Sequence, residues 1–300
     1  MEKINLTFLG TSGALPSPSR SHPSIHLNYK KENILIDCGE NTQVQLRKSY
    51  LSPHKLTRIL ITHWHGDHVL GLPGLLQTLA LIKYPKTLYI YGPKGTKRFF
   101  KHMLQAFKFK EKYDIKIKEV SSGKVLETEE FIIKSQAMSH GIPCNAYSFQ
   151  IKDRLRINKS KLKKAKIPAT SKLKKILKGK SITINKKKYT SKELTYTEPG
   201  KKITFVIDTS QNKKIPIFAK NSDLLISDST FDSKTKQKAK QYKHLTAKQA
   251  AENAKKAKVK QLILTNLSSK HEKNPKVVLS EAKKIFKNAS IAKDLLKIQI

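Results

Sequence analysis

The 300-residue chain has only two cysteines, Cys38 and Cys144. That is too few for a disulfide framework and points to a reducing cytosol. No stretch approaches the ~18 consecutive apolar residues that a membrane helix needs. The opening MEKINLTFLGTSG lacks a basic segment followed by a long apolar one, so neither secretion nor membrane anchoring is expected. No repeat with a period of 20 to 50 residues is visible, which excludes solenoid architectures. Acid is scarce: 22 Asp plus Glu stand against 61 Lys plus Arg, a net charge of +39. Such a field draws polyanions, nucleic acid first and an anionic membrane second, although a generally basic proteome would give the same composition without that meaning. Hydrophobic residues at 38% suffice for a substantial core.

Strands are predicted at 3–8, 24–29, 33–37, 58–62, 88–92, 131–134, 205–208, 224–227 and 262–265, as short apolar runs bounded by Gly, Pro and Ser. A helix opened by Pro73 carries Leu75, Leu76, Leu79, Ala80 and Ile82 on one face. Helices are also predicted over 96–108 and 246–258, the latter with Ala247, Ala250, Ala251 and Ala254 aligned. Interleaved strands and helices give an α/β class with mixed sheets in one domain, residues 1–300. One segment departs from this texture. Residues 152–192 hold 17 Lys or Arg and a single acid, Asp153, with too few apolar residues for a core of their own. The segment reads either as a solvated insertion without duty or as an arm offering phosphates a sequence-blind electrostatic surface.

The chemistry concentrates at His63-Trp64-His65-Gly66-Asp67-His68, directly after a strand. Three imidazoles and a carboxylate on a six-residue loop can converge on a point, and they are the donors that suit zinc and its first-row neighbours. A catalytic centre needs further ligands from elsewhere. Three candidates sit at strand ends or turns: His140, Asp208 and His244. Taken singly, each reads equally as a turn or helix-cap residue.

The hexapeptide matches the His-x-His-x-Asp-His motif of the metallo-β-lactamase superfamily, and the surrounding stretches resemble ribonuclease Z, the endonuclease that trims the 3′ end of precursor tRNA. The resemblance rests on Phe8-Leu9-Gly10-Thr11-Ser12, on Asp37-Cys38-Gly39-Glu40 with Thr42 and Gln43, and on Gly71-Leu72-Pro73-Gly74-Leu75. Ser139-His140-Gly141, Asp208-Thr209 and His244-Leu245-Thr246 continue it. It implies an αβ/βα sandwich of two mixed sheets with outer helices and a protruding basic arm. It implies His63, His65 and His140 on one Zn2+, Asp67 and His68 on a second, and Asp208 bridging them, with Mn2+ or Mg2+ as alternative ions. It also implies Asp67 as proton acceptor and His244 as leaving-group assistant oriented by Asp228, where relatives carry glutamate. The partners implied are precursor tRNA and a second copy in a homodimer, with a cytoplasmic location.

Two departures from the family pattern matter. Asn266 stands where the family has a histidine ligand, so a weakened second metal site is expected, with Asn266 binding weakly or through water and His271 as a substitute. The arm lacks the family's Gly-Pro element, so charge is expected to replace some shape fitting. Two other readings remain open: a hydrolase of a small ester or phosphodiester, and an RNA-binding protein that has lost catalysis.

Overall fold

The protein, seen in a computed structural model, is described over residues 3–107, 112–168, 170–184 and 186–300. Lys108 of the predicted 96–108 helix and Ala169 of the basic segment lie outside the described residues. Two seven-stranded sheets dominate, as expected for the α/β class. Edge to edge, the first runs Lys297–Gln299, Asn5–Gly10, Ser24–Tyr29, Glu32–Ile36, Arg58–Leu60, Leu88–Gly92 and Ile115–Glu119. It is antiparallel as far as Glu32–Ile36 and parallel from there on. The second runs Ala289–Ile291, Gln261–Thr265, Leu224–Asp228, Lys202–Val206, Pro143–Ile151, Phe131–Ser139 and Gly123–Glu127, its first four strands parallel.

Parallel strands deliver their carboxyl ends to one edge, where ligand sites of α/β sheets form. Asp37 follows Ile36, and Thr62 and His63 follow the strand ending at Leu60. Asp208 follows the strand ending at Val206, Asp228 closes its own strand, and Asn266 follows Thr265. These six residues are thus brought to one edge by topology, each at the end of a strand or within three residues of it.

The helices bury the predicted faces. Leu72–Leu81 has Pro73 in its first turn and buries Leu75, Leu76, Leu79 and Ala80 against the first sheet's core. Ile82, expected on that face, is exposed because the helix ends at Leu81. Ala247–Lys256 starts from a capping box in which Thr246 and Gln249 satisfy each other's backbone amides. Its four predicted alanines have no solvent exposure, so this helix lies flush against the second sheet's core.

The chain divides into two compact units, one of which comprises Glu127–Ile132 and Gln150–Lys201. This unit contains the basic segment and corrects the expectation that it lacks a core. Ile167, Ile176, Ile182 and Leu194 are buried together, with Leu162, Leu173 and Tyr189 packed on them. The apolar residues are few, yet those carried by the unit's short helices and strands meet in one cluster. Asn158 caps the Lys159–Lys164 helix by accepting from the Lys161 amide, and Thr190 and Glu193 form a second capping box.

The flush alanine face leaves no room for a larger side chain. Ala251→Leu should therefore destabilise the protein by about 1–3 kcal/mol, seen as a lower urea midpoint at unchanged slope.

Candidate metal centre

His63 Nε2 lies 2.9 Å from His65 Nδ1, and His140 Nε2 lies 3.2 Å from the same atom. Ligands at ~2.0–2.1 Å in tetrahedral array stand ~3.3 Å apart, so three imidazole nitrogens at this spacing match one cation. Asp208 Oδ2 lies 3.7 Å from His63 Nε2, 3.7 Å from His140 Nε2 and 3.2 Å from His68 Nε2. It therefore faces both the three-imidazole group and His68, whose Nε2 is 3.4 Å from Asp67 Oδ2. The trios His63–His65–His140, His63–His68–Asp208 and His140–Asp208–His244 each bring one donor atom per residue within 4.8 Å of the others.

The donor set fits a pair of divalent cations. His68 Nε2 is fully buried and has no hydrogen-bond partner, although such atoms are nearly always satisfied. Its other nitrogen is taken, because Nδ1 lies 2.8 Å from Asp37 Oδ2. In the same way His140 Nδ1 is 2.9 Å from the Lys243 carbonyl and His63 Nδ1 is 3.0 Å from the Thr62 hydroxyl. One ring nitrogen is fixed by the protein and the other turned to a common point, which is how metal-ligating histidines are oriented.

Asp37 is the supporting residue whose role the sequence did not disclose. It is buried, accepts from the Thr62 amide at 2.7 Å and from the Thr62 hydroxyl at 2.8 Å, and holds His68 from behind. Its signals in the sequence were an acid following the apolar run Ile34-Leu35-Ile36 and a place in the Asp37-Cys38-Gly39-Glu40 stretch, neither of which tells what it holds. Gly39, two residues on, lets the chain pass close: a Cβ there would stand 2.3 Å from the Asp67 carbonyl oxygen. The Asp37-Cys38-Gly39 stretch thus serves the hexapeptide loop by orienting one imidazole and by giving way to the backbone.

Burial and charge set the protonation states. Burial pushes His63 and His65 down, with neighbouring imidazoles acting in the same direction, so both are neutral and able to ligate. Burial works against the charged forms of His68 and Asp208, yet their mutual attraction prevails. The carboxylates of Asp208 and Asp37 hold His68 well above the usual imidazole range, and His68 and His244 hold Asp208 well below the carboxylate range. His244 Nδ1 is 3.1 Å from Asp228 Oδ2, 3.2 Å from the Thr230 hydroxyl and 3.8 Å from Asp208 Oδ1. Burial lowers His244, but Asp228 and Asp208 outweigh it and raise the imidazole to about 9. The shorter Asp at 228 still reaches His244, and it also accepts from the Leu245 amide at 3.0 Å.

Asn266 donates from its amide nitrogen to Asp208 Oδ1, and to the Thr230 hydroxyl at 3.1 Å, while its Oδ1 is buried without a partner. It therefore fixes the carboxylate facing both donor groups. His271 is not drawn into any of the three trios. Its Nε2 lies 3.9 Å from Asp232, so the structure does not bring it to the centre.

Residues 4–167 match the family model described as anti-Pycsar protein Apyc1. The chain is 39% identical over 265 residues to the ribonuclease Z of Nanoarchaeum equitans, covering 88% of this chain and 84% of that one. It is 38% identical over 299 residues to the ribonuclease Z of Nitrosopumilus maritimus, covering 99% and 100%. The crystal structure of the short form of human tRNase Z superposes with a TM-score of 0.71 at 26% identity, covering 98% of each chain.

Asp37→Asn keeps the shape but weakens the hold on His68. Metal affinity should fall about 10–100-fold, measured by competition with a chromogenic chelator, with little change in the folded spectrum.

Proposed function

Because the chain belongs to the ribonuclease Z family, we propose that it is a metal-dependent endoribonuclease that removes the 3′ trailer from precursor tRNA, leaving a 3′-hydroxyl on the tRNA and a 5′-phosphate on the trailer. The observation that carries this reading is His244, held at 3.1 Å by Asp228 beside the imidazole and carboxylate cluster. A metal centre alone serves many hydrolyses. An imidazole oriented by a carboxylate at its edge can protonate a strongly basic alkoxide leaving group, as phosphodiester cleavage requires.

Zinc is the ion this donor set suits, since imidazole nitrogens outnumber carboxylates. Two such ions, one on His63, His65 and His140, one on Asp67 and His68, with Asp208 shared, would neutralise charge on the phosphate and make water acidic enough to attack at neutral pH. Burial notwithstanding, the His68 imidazole 3.4 Å away keeps Asp67 below the carboxylate range, ionised and able to take a proton from the attacking water. His244 gives its proton to the departing 3′ oxygen of the tRNA. Its Nδ1 is committed to Asp228 and Thr230, so the proton transferred is the one on Nε2. Asn266 steadies Asp208 but contributes no imidazole, so the ion on Asp67 and His68 is the more weakly held.

Residues 150–201 and 127–132 act as the tRNA-gripping arm, and the +16 carried by 152–192 is what a small-molecule hydrolase does not need. The Apyc1 family model, to which residues 4–167 also belong, takes in the hexapeptide and His140 but stops before Asp208 and His244. The match to the ribonuclease Z of Nitrosopumilus maritimus spans 99% of the chain. Family membership also supports a homodimer, and the two buried, unpaired cysteines suit a cytoplasmic location.

A precursor tRNA labelled in its trailer tests the assignment. Wild type should release the trailer with a 5′-phosphate, chelator or Asp67→Ala should abolish the cut, and His244→Ala should lower kcat by roughly 10²–10⁴. Binding without any cutting by the metal-loaded protein would instead favour an RNA-binding homologue. Deleting residues 155–185 should weaken precursor binding severely and flatten its salt dependence, by about 0.7–0.9 in log-log slope per lost phosphate contact, while sparing hydrolysis of a small phosphodiester; equal losses for both substrates would refute the arm's role.

A further inference from the structure

Beside the metal cluster lies a cavity of about 680 Å³ that the mechanism above does not use. Its lining includes Trp64, Phe99, Arg98, Lys94, Pro143 and the carboxylate-bearing Glu119, with His65 of the cluster at its border. Trp64 is the variable residue within His-x-His, and nothing in metal binding calls for an indole there.

The cavity is built with care for its two aromatic rings. Trp64 and Phe99 stand 5.5 Å apart between centroids, tilted by 37°. The indole is pinned because Trp64 Nε1 donates to the Thr96 hydroxyl at 2.8 Å, which donates in turn to the Pro93 carbonyl at 2.7 Å. Phe99 lies over the backbone of Gly95, which has φ +98°; a Cβ there would come within 2.9 Å of the ring, so only glycine admits the packing. The loop beneath is clamped by Glu119, which accepts from the Gly95 amide at 3.1 Å and the Lys97 amide at 3.0 Å. Over the Phe99 ring, at 4.9 Å, sits the Arg98 guanidinium. Rigid aromatic rings, an apolar lining and two cations are what a protein offers an unpaired nucleobase and its phosphate. The volume is in the range of small-ligand pockets.

We propose that this cavity is a stacking subsite for the base of the first trailer nucleotide, on the 3′ side of the cut, with Lys94 and Arg98 meeting the phosphates that flank it. The inference rests on the nuclease reading above. His244 serves the oxygen departing with the tRNA, and it shares a donor trio with His140 and Asp208 but none with His65. The tRNA side of the scissile bond therefore belongs to His244. The cavity bordering His65 is left for the trailer. Trp64 and Phe99 are specificity residues here, acting on the substrate and not on the metals.

The test compares two precursor tRNAs, one with a purine at the first trailer position and one abasic there, on wild type and on Phe99→Leu. Wild type should lose roughly tenfold or more in kcat/KM on the abasic precursor, the scale of one stacked base. Phe99→Leu should lose a similar factor on the purine precursor and little more on the abasic one. Trp64 is the single tryptophan of the chain, so its emission is a direct second readout. With Asp67→Ala protein, the purine precursor should quench it and the abasic one should not. Equal wild-type rates on both precursors, or equal losses of Phe99→Leu on both, would overturn the subsite and leave the nuclease standing. Failure of wild type to cut either precursor would overturn both.

Discussion

Three buried carboxylates, Asp37, Asp208 and Asp228, each face an imidazole, and the rest of the site follows from the need to keep those charges compensated. A buried ion left without its partner costs several kcal/mol, so none of the loops that carry these groups is free to drift. Asp37 and the hexapeptide come from the first sheet, and His140, Asp208, Asp228 and His244 from the second sheet and its loops. The compensation scheme is thus also a tie between the two sheets. A pair of divalent cations would strengthen that tie, one taken up by the neutral imidazoles of His63 and His65 with His140, the other by Asp67 and His68, with Asp208 facing both.

Much of this was legible in the sequence, for identifiable reasons. Strands such as 88–92 and 262–265 could be read because they are buried on both faces and hence nearly all apolar, and 24–29 because polar and apolar residues alternate along it. The alanine face of residues 247–256 could be read because one helix side has no solvent exposure. Strands with half-exposed patterns, such as Ile115–Glu119 with lysine at alternate positions, escaped notice. So did the Thr42–Lys48 helix, which is too short to show a period. At the site, the hexapeptide declared itself by density of ligands alone. His140, Asp208 and His244 became meaningful only through a resemblance, because single residues carry no spacing. The partners behind the ligands, Asp37, Thr230 and the Lys243 carbonyl, were invisible for a further reason: a hydrogen bond across tens of residues leaves no local pattern.

The basic unit shows how few apolar residues a small subdomain needs when every one is used. Four buried side chains and their neighbours organise the unit that carries the densest cationic segment of the chain. Its lysines therefore hang from defined short helices and hairpins, and are not strung along a coil. Recognition by charge and chemistry by metal are assigned to different stretches of sequence, each with its own core.

Asp37, Asp208 and Asn266 share an uncommon backbone, with φ of +60°, +51° and +61°. Side chains of most kinds resist that left-handed geometry, whereas aspartate, asparagine and histidine tolerate it. The loop after the Gln261–Thr265 strand thus favours asparagine, aspartate, histidine or glycine at position 266. Exchange among these alters what is offered to Asp208 while leaving the chain path intact. A ligand can be traded for a clamp there without refolding the loop, and the electronic character of the centre becomes adjustable at a single site.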